Sequence, residues 1–290
     1  MRYPNKSIVL DKNLVKYIYA VGDIHGDFLT FADDLVNSCK VKNCCVIVCG
    51  DIGLGFYSID KMKDFFRRME EMFVAKNIFV IFFRGNHDDP TWFEYIEDDF
   101  ANEYPHVIIA EDFTIVERDD DVYPYHILLW GGAISIDRTR RLPGHTYWSG
   151  EEVTPLPAEF AEDKEINCVC THTAPDFCLP INSSNLSGWY LVDMQLEKDL
   201  KEEREIVGKG AWTLCRANKN TMSLWVYGHY HDTYYNSWRM NDEIAALAPV
   251  RFIGLDMMRY NKFDVQELSK DNYDFFNRTH KNHIIKIFEF

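Results

Sequence analysis

The stretch CCVIVCGD at residues 44–51 decides the fold class of this chain. It is an unbroken apolar run that ends in a glycine and an aspartate, which is typical of a strand covered on both faces. The runs KYIYAV at 16–21 and IFVIFF at 78–83 have the same character. Between the three runs, apolar residues recur at helical spacing over 28–39 and 62–73. This βαβαβ order predicts a parallel sheet with right-handed crossovers.

The second half of the chain is richer in predicted strands. They span His106–Ala110, Phe113–Glu117, Tyr125–Trp130, Ile166–Cys170, Leu224–Tyr227, Arg251–Leu255 and Ile284–Phe290. A charged helix with most of its surface in solvent is predicted over Leu191–Val207. The irregular segments 137–163 and 173–189 are long enough to be functional loops. No linker divides the chain, so we expect a single domain over residues 1–290 with a motif-bearing core at about 16–256.

Composition narrows the classes of partner. The chain carries 46 acidic and 31 basic side chains, and its formal charge of −15 argues against extended nucleic-acid binding. Asp11 and Lys12 interrupt the N-terminal segment before a signal peptide can form, and no apolar run is long enough to span a bilayer. Most of the eight cysteines lie in apolar strand-like runs, so we expect buried reduced thiols. These features predict a cytoplasmic protein with no membrane partner.

Side chains that can bind metal ions follow five of the predicted strands. They are Asp23, His25, Asp51, Asn86, His172, His229 and His231. The carboxyl ends of parallel strands lie along one edge of a sheet, so these side chains should converge. Oxygen and imidazole ligands without thiolates suit Mn, Fe, Zn or Ni. The set is too large for one ion and fits two divalent ions that share a bridging carboxylate.

Five ordered blocks carry a resemblance to a known family. The blocks are GDIHG (22–26), GD (50–51), GNHD (85–88), TH (171–172) and GHYH (228–231). In this order they resemble the calcineurin-like metallophosphoesterase superfamily. The stretch WGGAISIDRTRR (130–141), followed by Trp148 and Glu151–Glu152, is similar to uncharacterised microbial and phage-type members. The resemblance implies an α/β fold, a four-layer α/β/β/α sandwich with two central mixed sheets.

The resemblance also implies a role for each site residue. One metal would take Asp23, His25, Asp51 and His231, and the other would take Asp51, Asn86, His172 and His229, with Asp51 bridging. His87 would be the general acid that protonates the leaving oxygen, and Asp88 would orient and charge its imidazole. The implied activity is a metal-dependent hydrolysis of a small phosphorylated substrate, in which a metal-bound hydroxide attacks phosphorus in line. Manganese is among the metals expected.

One departure from the family bears on the substrate. Protein Ser/Thr phosphatases of this superfamily carry Asp-Arg-Gly after the second block and GNHE as the third, whereas this chain has Asp51-Ile52-Gly53 and GNHD. The arginine that would hold phosphate is missing, and the nearest replacements are Arg138, Arg140 and Arg141.

Two classes of function remain open: a phosphoester hydrolase, and a non-catalytic scaffold of the same fold that acts through protein contacts. Degenerate members lose ligands or the general acid, and this chain keeps them all, which favours the enzyme. Within that class, a phosphomonoesterase and a phosphodiesterase or nucleotidase are both compatible with the blocks.

Overall fold

The computed structural model describes most of the chain and all of the predicted site. The described residues are 7–94, 102–118, 124–162, 164–180, 186–239, 241–242, 245–246, 249–258, 266–267 and 284–289. The strands are β1 (Ser7–Leu10), β2 (Tyr17–Val21), β3 (Cys44–Cys49), β4 (Ile78–Phe83), β5 (Val107–Ile109), β6 (Ile115–Arg118), β7 (His126–Trp130), β8 (Ile166–Thr171), β9 (Leu224–Tyr227), β10 (Tyr234–Trp238), β11 (Asn241–Asp242), β12 (Ala245–Ala246), β13 (Val250–Gly254), β14 (Gln266–Glu267) and β15 (Ile284–Glu289). The α-helices are α1 (Phe28–Asp33), α2 (Ile59–Val74), α3 (Thr91–Glu94), α4 (Ser187–Tyr190) and α5 (Leu196–Ala217).

Two mixed sheets form the centre of the molecule. One has six strands in the order β14-β15-β2-β3-β4-β5, and the other has seven in the order β1-β6-β7-β8-β9-β13-β10. The predicted βαβαβ unit is confirmed, because β2, β3, β4 and β5 pair in parallel. Parallel pairing also joins β7, β8, β9 and β13 in the second sheet. The order of the strands brings the carboxyl ends of β2, β3 and β4, and those of β8 and β9, to the edges of their sheets.

Strand β3 shows how the layers form. Cys44, Val46 and Val48 face a core shared with helices α1 and α2, while Cys45, Ile47 and Cys49 face a core between the two sheets. Alternate side chains of a strand point to opposite faces, so a run that is apolar throughout must be covered on both. The second sheet packs its outer face against α5. The predicted four-layer α/β/β/α arrangement is thereby confirmed, and the eight cysteines are free thiols, seven of them buried.

The helix predicted over Leu191–Val207 is wrong in its position and exposure. Helix α5 spans Leu196–Ala217, and its inner face packs into the core of the second sheet. Charged residues in its first turns conceal the apolar stripe in the sequence, and Gly208 and Gly210 lie just beyond the predicted end. Gly210 is instead a close-packing position, since a Cβ there would strike the ring of Trp130. The helix continues through both glycines. The missing side chain at Gly210 lets the second sheet approach the backbone of the helix.

The two long segments predicted as loops contain little regular structure. Their described residues hold 3-10 turns at Arg138–Arg140, Ala158–Ala161 and Asp176–Cys178, and the short helix α4. Residues 163 and 181–185 of these segments lie outside the described residues. Within the described part of the chain, no helix is long and apolar enough to cross a membrane.

Candidate metal centre

The side chains predicted as metal ligands converge in two groups that share Asp51. Asp23, His25, Asp51 and His231 form one group, and Asp51, His172 and His229 form the other; within each group the ligand atoms lie within 4.8 Å of one another. Asn86 joins the second group, because its Oδ1 is 3.0 Å from His172 Nε2. The structure thus brings together every residue of the predicted set, although they are spread over more than two hundred positions of the chain.

The backbone is held in an uncommon conformation at four of these positions. The φ angles of His25, Asp51, His229 and His231 are 47°, 50°, 70° and 52°. A residue with a side chain loses about 1–2 kcal/mol in this left-handed region, and such residues concentrate at functional sites. The sharp turn after each strand lets the side chains point back over the sheet edge, which is what a shared site requires.

Gly85 is a close-approach position in the middle of the site. A Cβ on Gly85 would lie against Oδ1 and the amide nitrogen of Asp51 and close to His172 Nε2. Because Gly85 lacks a side chain, the end of β4 can approach the end of β3 and the carboxylate of Asp51 can reach both groups.

In the first group, a carboxylate oxygen and two imidazole nitrogens meet. His231 Nε2 lies 3.1 Å from Asp23 Oδ2 and 3.0 Å from His25 Nε2. Asp23 is fully buried and also accepts the amide N–H of His229 at 3.0 Å. Burial alone would raise the pKa of Asp23, but the hydrogen bond with His231 and the charge of His172 lower it. The carboxylate is therefore kept ionised where two imidazoles face it.

In the second group, His172 is oriented by the backbone. Its Nδ1 donates to the carbonyl of Cys49 at 2.7 Å, which leaves Nε2 facing Asp51 Oδ1 at 3.1 Å and Asn86 Oδ1 at 3.0 Å. Against the effect of burial, the charge of Asp51 raises the pKa of His172 to about 10. Burial lowers the pKa of His229 to about 3, so this imidazole is neutral.

The donor sets fit a pair of cations. In each group the facing atoms are imidazole nitrogens and carbonyl or carboxylate oxygens, which repel one another unless a positive charge lies between them. A proton on His172 can supply that charge when no metal is bound, which is the physical meaning of its raised pKa. Each of the two groups offers donor atoms that could hold a metal ion, and the groups share Asp51.

Comparison with known proteins agrees with the geometry. The family model described as calcineurin-like phosphoesterase matches residues 16–233. The chain belongs to the calcineurin-like phosphoesterase family. Members of this family are generally phosphoester hydrolases. No curated protein matches the sequence of this chain significantly.

Two solved structures are similar to this chain at low identity. Protein TT1561 of Thermus thermophilus is 14% identical, with a TM-score of 0.41 over 84% of this chain and 90% of that one. A protein serine/threonine phosphatase from Saccharomyces cerevisiae, with similarity to human phosphatase PP5, is also 14% identical, with a TM-score of 0.33 over 86% of this chain and 71% of that one.

Asp88 differs from the expectation that it orients His87. Both of its oxygens accept backbone N–H groups: Oδ1 from Gly53 and Leu54 at 2.7 and 2.9 Å, and Oδ2 from Gly85 and Ile52 at 2.8 and 3.2 Å. Burial and the charge of Asp51 raise the pKa of Asp88 to about 6, although these donors act in the opposite direction. Asp88 holds together the turns that follow β3 and β4, and thus the two ligands Asp51 and Asn86 predicted there.

His87 is in contact with Arg141 instead. The guanidinium of Arg141 lies against the imidazole, with Nη2 2.7 Å from Nε2 and Nη1 3.0 Å from Nδ1. A neutral imidazole has one acceptor nitrogen, so one of these two contacts is a hydrogen bond. Burial lowers the pKa of His87, and the charge of Arg141 adds to this effect against the opposing charge of Asp51. The two groups of predicted ligands together form a cluster. His87 Nε2 lies at its edge, 3.8 Å from Asp51 Oδ2.

The three arginines expected to replace the missing phosphate contact have different positions. Arg138 is engaged by Asp193 and Asp199, each at 2.6 Å. The guanidinium of Arg140 lies 4.6 Å from the ring centre of Trp189. Only Arg141 of the three lines the cavity over the cluster, where it is also paired with Asp137.

A cavity of about 530 Å³ opens above the cluster. Its polar part includes Asp51, Asn86, His87, His229 and His231. A second part is apolar and is lined by Ile136, Leu179, Pro180, Leu186, Trp189 and Leu200. The volume is within the range of pockets that bind small organic ligands.

Sequence reasoning missed several residues of the site. Arg204 lines the cavity, and among the described residues its Nε has no hydrogen-bond partner. Ser135 and Glu151 are both buried. Ser135 is hydrogen-bonded to Asn86, and Glu151 is hydrogen-bonded to Ser135. A lone arginine on a charged helix and a glutamate in a loop carry no sequence signal of burial. For Glu151, the only signal was its place in the stretch shared with phage-type members.

Proposed function

We propose that this chain is a metal-dependent phosphoester hydrolase that works with two divalent ions bridged by Asp51. The observation that carries the proposal is the pair of buried donor groups, both of which include Asp51. Two divalent ions at such a site activate a water for in-line attack on phosphorus and neutralise charge on the phosphoryl oxygens. Asp23, His25 and His231 would hold one ion, and Asn86, His172 and His229 the other.

The remaining polar residues of the cavity would serve the substrate. Arg141 and Arg204 are the two arginines that line the cavity, and a guanidinium can bind two phosphate oxygens at once. A phosphate bound beside His87 would draw Arg141 away from the imidazole and favour its protonated form. His87 would then donate its proton to the leaving oxygen as the general acid.

The shape of the cavity supports a small organic phosphoester. The apolar part gives an organic group a place outside the cluster, with Trp189 among the residues that would contact it. A phosphomonoester and a phosphodiester both fit this description, and the experiment separates them.

The test is a panel of phosphoesters assayed with Mn²⁺. It compares p-nitrophenyl phosphate, bis-p-nitrophenyl phosphate, nucleotides, dinucleoside polyphosphates and a phosphopeptide, with Asp51→Asn as the control. We expect hydrolysis of at least one organic phosphoester by the wild-type chain, and its loss in Asp51→Asn because both groups lose their shared ligand. No hydrolysis by a protein that binds two ions would favour the scaffold instead.

A further inference from the structure

A chain of hydrogen bonds connects the amide of Asn86 to a loop residue that no motif includes. Asn86 Nδ2 donates to Ser135 Oγ at 3.0 Å, and Ser135 Oγ donates to Glu151 Oε2 at 2.8 Å. The amide N–H of Ser135 donates to the other carboxylate oxygen, Glu151 Oε1, at 2.7 Å. The exposed fractions of Asn86, Ser135 and Glu151 are 2%, 1% and 1%, so water does not compete for these contacts.

The direction of this chain is set by Glu151. A carboxylate only accepts hydrogen bonds, and it takes both donors of Ser135. Ser135 Oγ is left with lone pairs alone, so it can accept a hydrogen bond from Asn86 but cannot donate one.

This constraint decides which end of the Asn86 amide faces the cluster. The oxygen and NH₂ ends of an amide have nearly the same shape, so packing alone does not distinguish them. With the NH₂ end required by Ser135, Oδ1 is turned toward His172 Nε2 at 3.0 Å. A reversed amide would present N–H donors at the place where a cation needs an oxygen.

The loop that carries Glu151 is fixed to the same strand end as Asn86. Arg84 donates from Nη1 to the carbonyls of Gly150 and Glu151 at 2.8 and 3.1 Å, and from Nη2 to that of Glu152 at 3.0 Å. Arg84 is itself paired with Asp112 at 2.7 Å. Arg84 precedes Asn86 by only two residues. The contacts of Arg84 therefore fix the position of the loop relative to the amide of Asn86.

We propose that Ser135 and Glu151 are positioning residues that orient the amide of Asn86 for metal binding at the second of the two sites. The proposal rests on the two-ion function proposed above. It assigns a task to the loop after β7, which contributes none of the ligands proposed above. Partners that orient a ligand in this way typically change metal affinity about 10–100-fold.

The test measures metal binding without any activity assay. Metal-free protein is titrated with Mn²⁺ by calorimetry, and bound ions are counted after equilibrium dialysis. Burial raises the pKa of Glu151 to about 7, so the titration is run above that pH. The variants are Ser135→Ala, Glu151→Gln and Asn86→Ala, with Glu152→Gln as the matched control on the exposed neighbouring carboxylate.

We expect the wild type and Glu152→Gln to bind two ions, and Ser135→Ala and Glu151→Gln to weaken one site at least about tenfold. The weakened site should be the one that Asn86→Ala loses, with the other unchanged. Glutamine at 151 keeps the shape but can donate to Ser135 Oγ, which frees the hydroxyl to donate to Asn86 and permits the reversed amide. Adding Ser135→Ala to Asn86→Ala should cause no further loss.

Other outcomes overturn the proposal. Unchanged affinity in Ser135→Ala and Glu151→Gln, while the wild type binds two ions, contradicts this inference and leaves the proposed function standing. Equal weakening of both sites would assign the two residues a general structural role. A wild-type chain that binds fewer than two ions contradicts the proposed function and this inference with it. If Ser135→Ala does not fold by circular dichroism, the isosteric Glu151→Gln decides.

Discussion

At the scale of residues, the environment of His87 determines how the proposed acid can work. Its imidazole lies among Arg141, Asp51 and His25, whose ring centre is 5.0 Å away. Burial and the charge of Arg141 lower the pKa of His87 against the opposing charge of Asp51, so the proton is held loosely. A group with this balance can give up its proton when the leaving oxygen develops charge.

The first prediction concerns His87→Asn. We expect turnover to fall about 10²–10⁴-fold, since the variant removes proton transfer to the leaving group. The content of bound Mn²⁺ should equal that of the wild type, measured by elemental analysis after dialysis. Loss of one ion in this variant would instead make His87 a ligand.

The second prediction separates the three loop arginines. Arg141→Ala should reduce kcat/KM about 10–100-fold, because a hydrogen bond to a charged group is worth about 1.5–3 kcal/mol. Arg140→Ala is the control, since its guanidinium lies on Trp189 and not on the cluster. Equal losses in steady-state assays of the two variants would contradict a phosphate contact specific to Arg141.

At the scale of elements, the site depends on strand ends that approach one another closely. Asp88 joins the turn after β3 to the turn after β4 by three backbone hydrogen bonds, and it accepts a fourth from Gly85 within its own turn. His172 joins the end of β8 to that of β3 through the Cys49 carbonyl. The two sheets therefore meet at the cluster through contacts that leave no space for a side chain at Gly85.

The third prediction tests this closeness with Gly85→Ala. The new methyl group would displace Asp51, so we expect a loss of about 1–3 kcal/mol in the free energy of unfolding and weaker binding of both ions. Gly188→Ala is the matched control, because a Cβ there has no neighbour within 4 Å and the residue lies in helix α4. Urea unfolding of both variants measures the difference, and equal stability would contradict the prediction.

At the scale of the whole molecule, charge and metal binding are linked. The chain has a formal charge of −15, yet two divalent ions would outweigh the aspartates that bind them. The cluster would then be a local positive site in an acidic protein. The acidic composition opposes polyanions at long range and does not oppose a small phosphate held at the ions.

The fourth prediction concerns removal of metal. With free Mn²⁺ at 100 times the dissociation constant, each occupied site should raise the free energy of unfolding by about 2.7 kcal/mol. Chelation should reverse this gain and also abolish binding of inorganic phosphate. Thermal unfolding and calorimetric titration with phosphate, each with and without chelator, measure the two effects. Phosphate binding of equal strength without metal would show that the arginines alone hold the anion.

The four layers were expected from the family resemblance, whereas the pattern of residues by itself determined the parallel sheet and the convergence of the seven predicted ligands. A run such as Cys44–Cys49 must be covered on both faces, and a parallel βα order must bring the residues after β2, β3 and β4 to one edge. Local spacing is enough for these conclusions, since the handedness and direction of the strands follow from it.

Only the tertiary structure decided which polar residues outside the motifs serve the site. It turned Asp88 toward backbone amides and placed Arg141, but not Arg138 or Arg140, over the cluster. It also buried the loop residue Glu151. The carboxylate of Glu151 accepts a hydrogen bond from Ser135 Oγ, which in turn accepts one from the amide of Asn86. These outcomes depend on how long irregular segments fold back onto strand ends, and no periodicity in the sequence encodes that path.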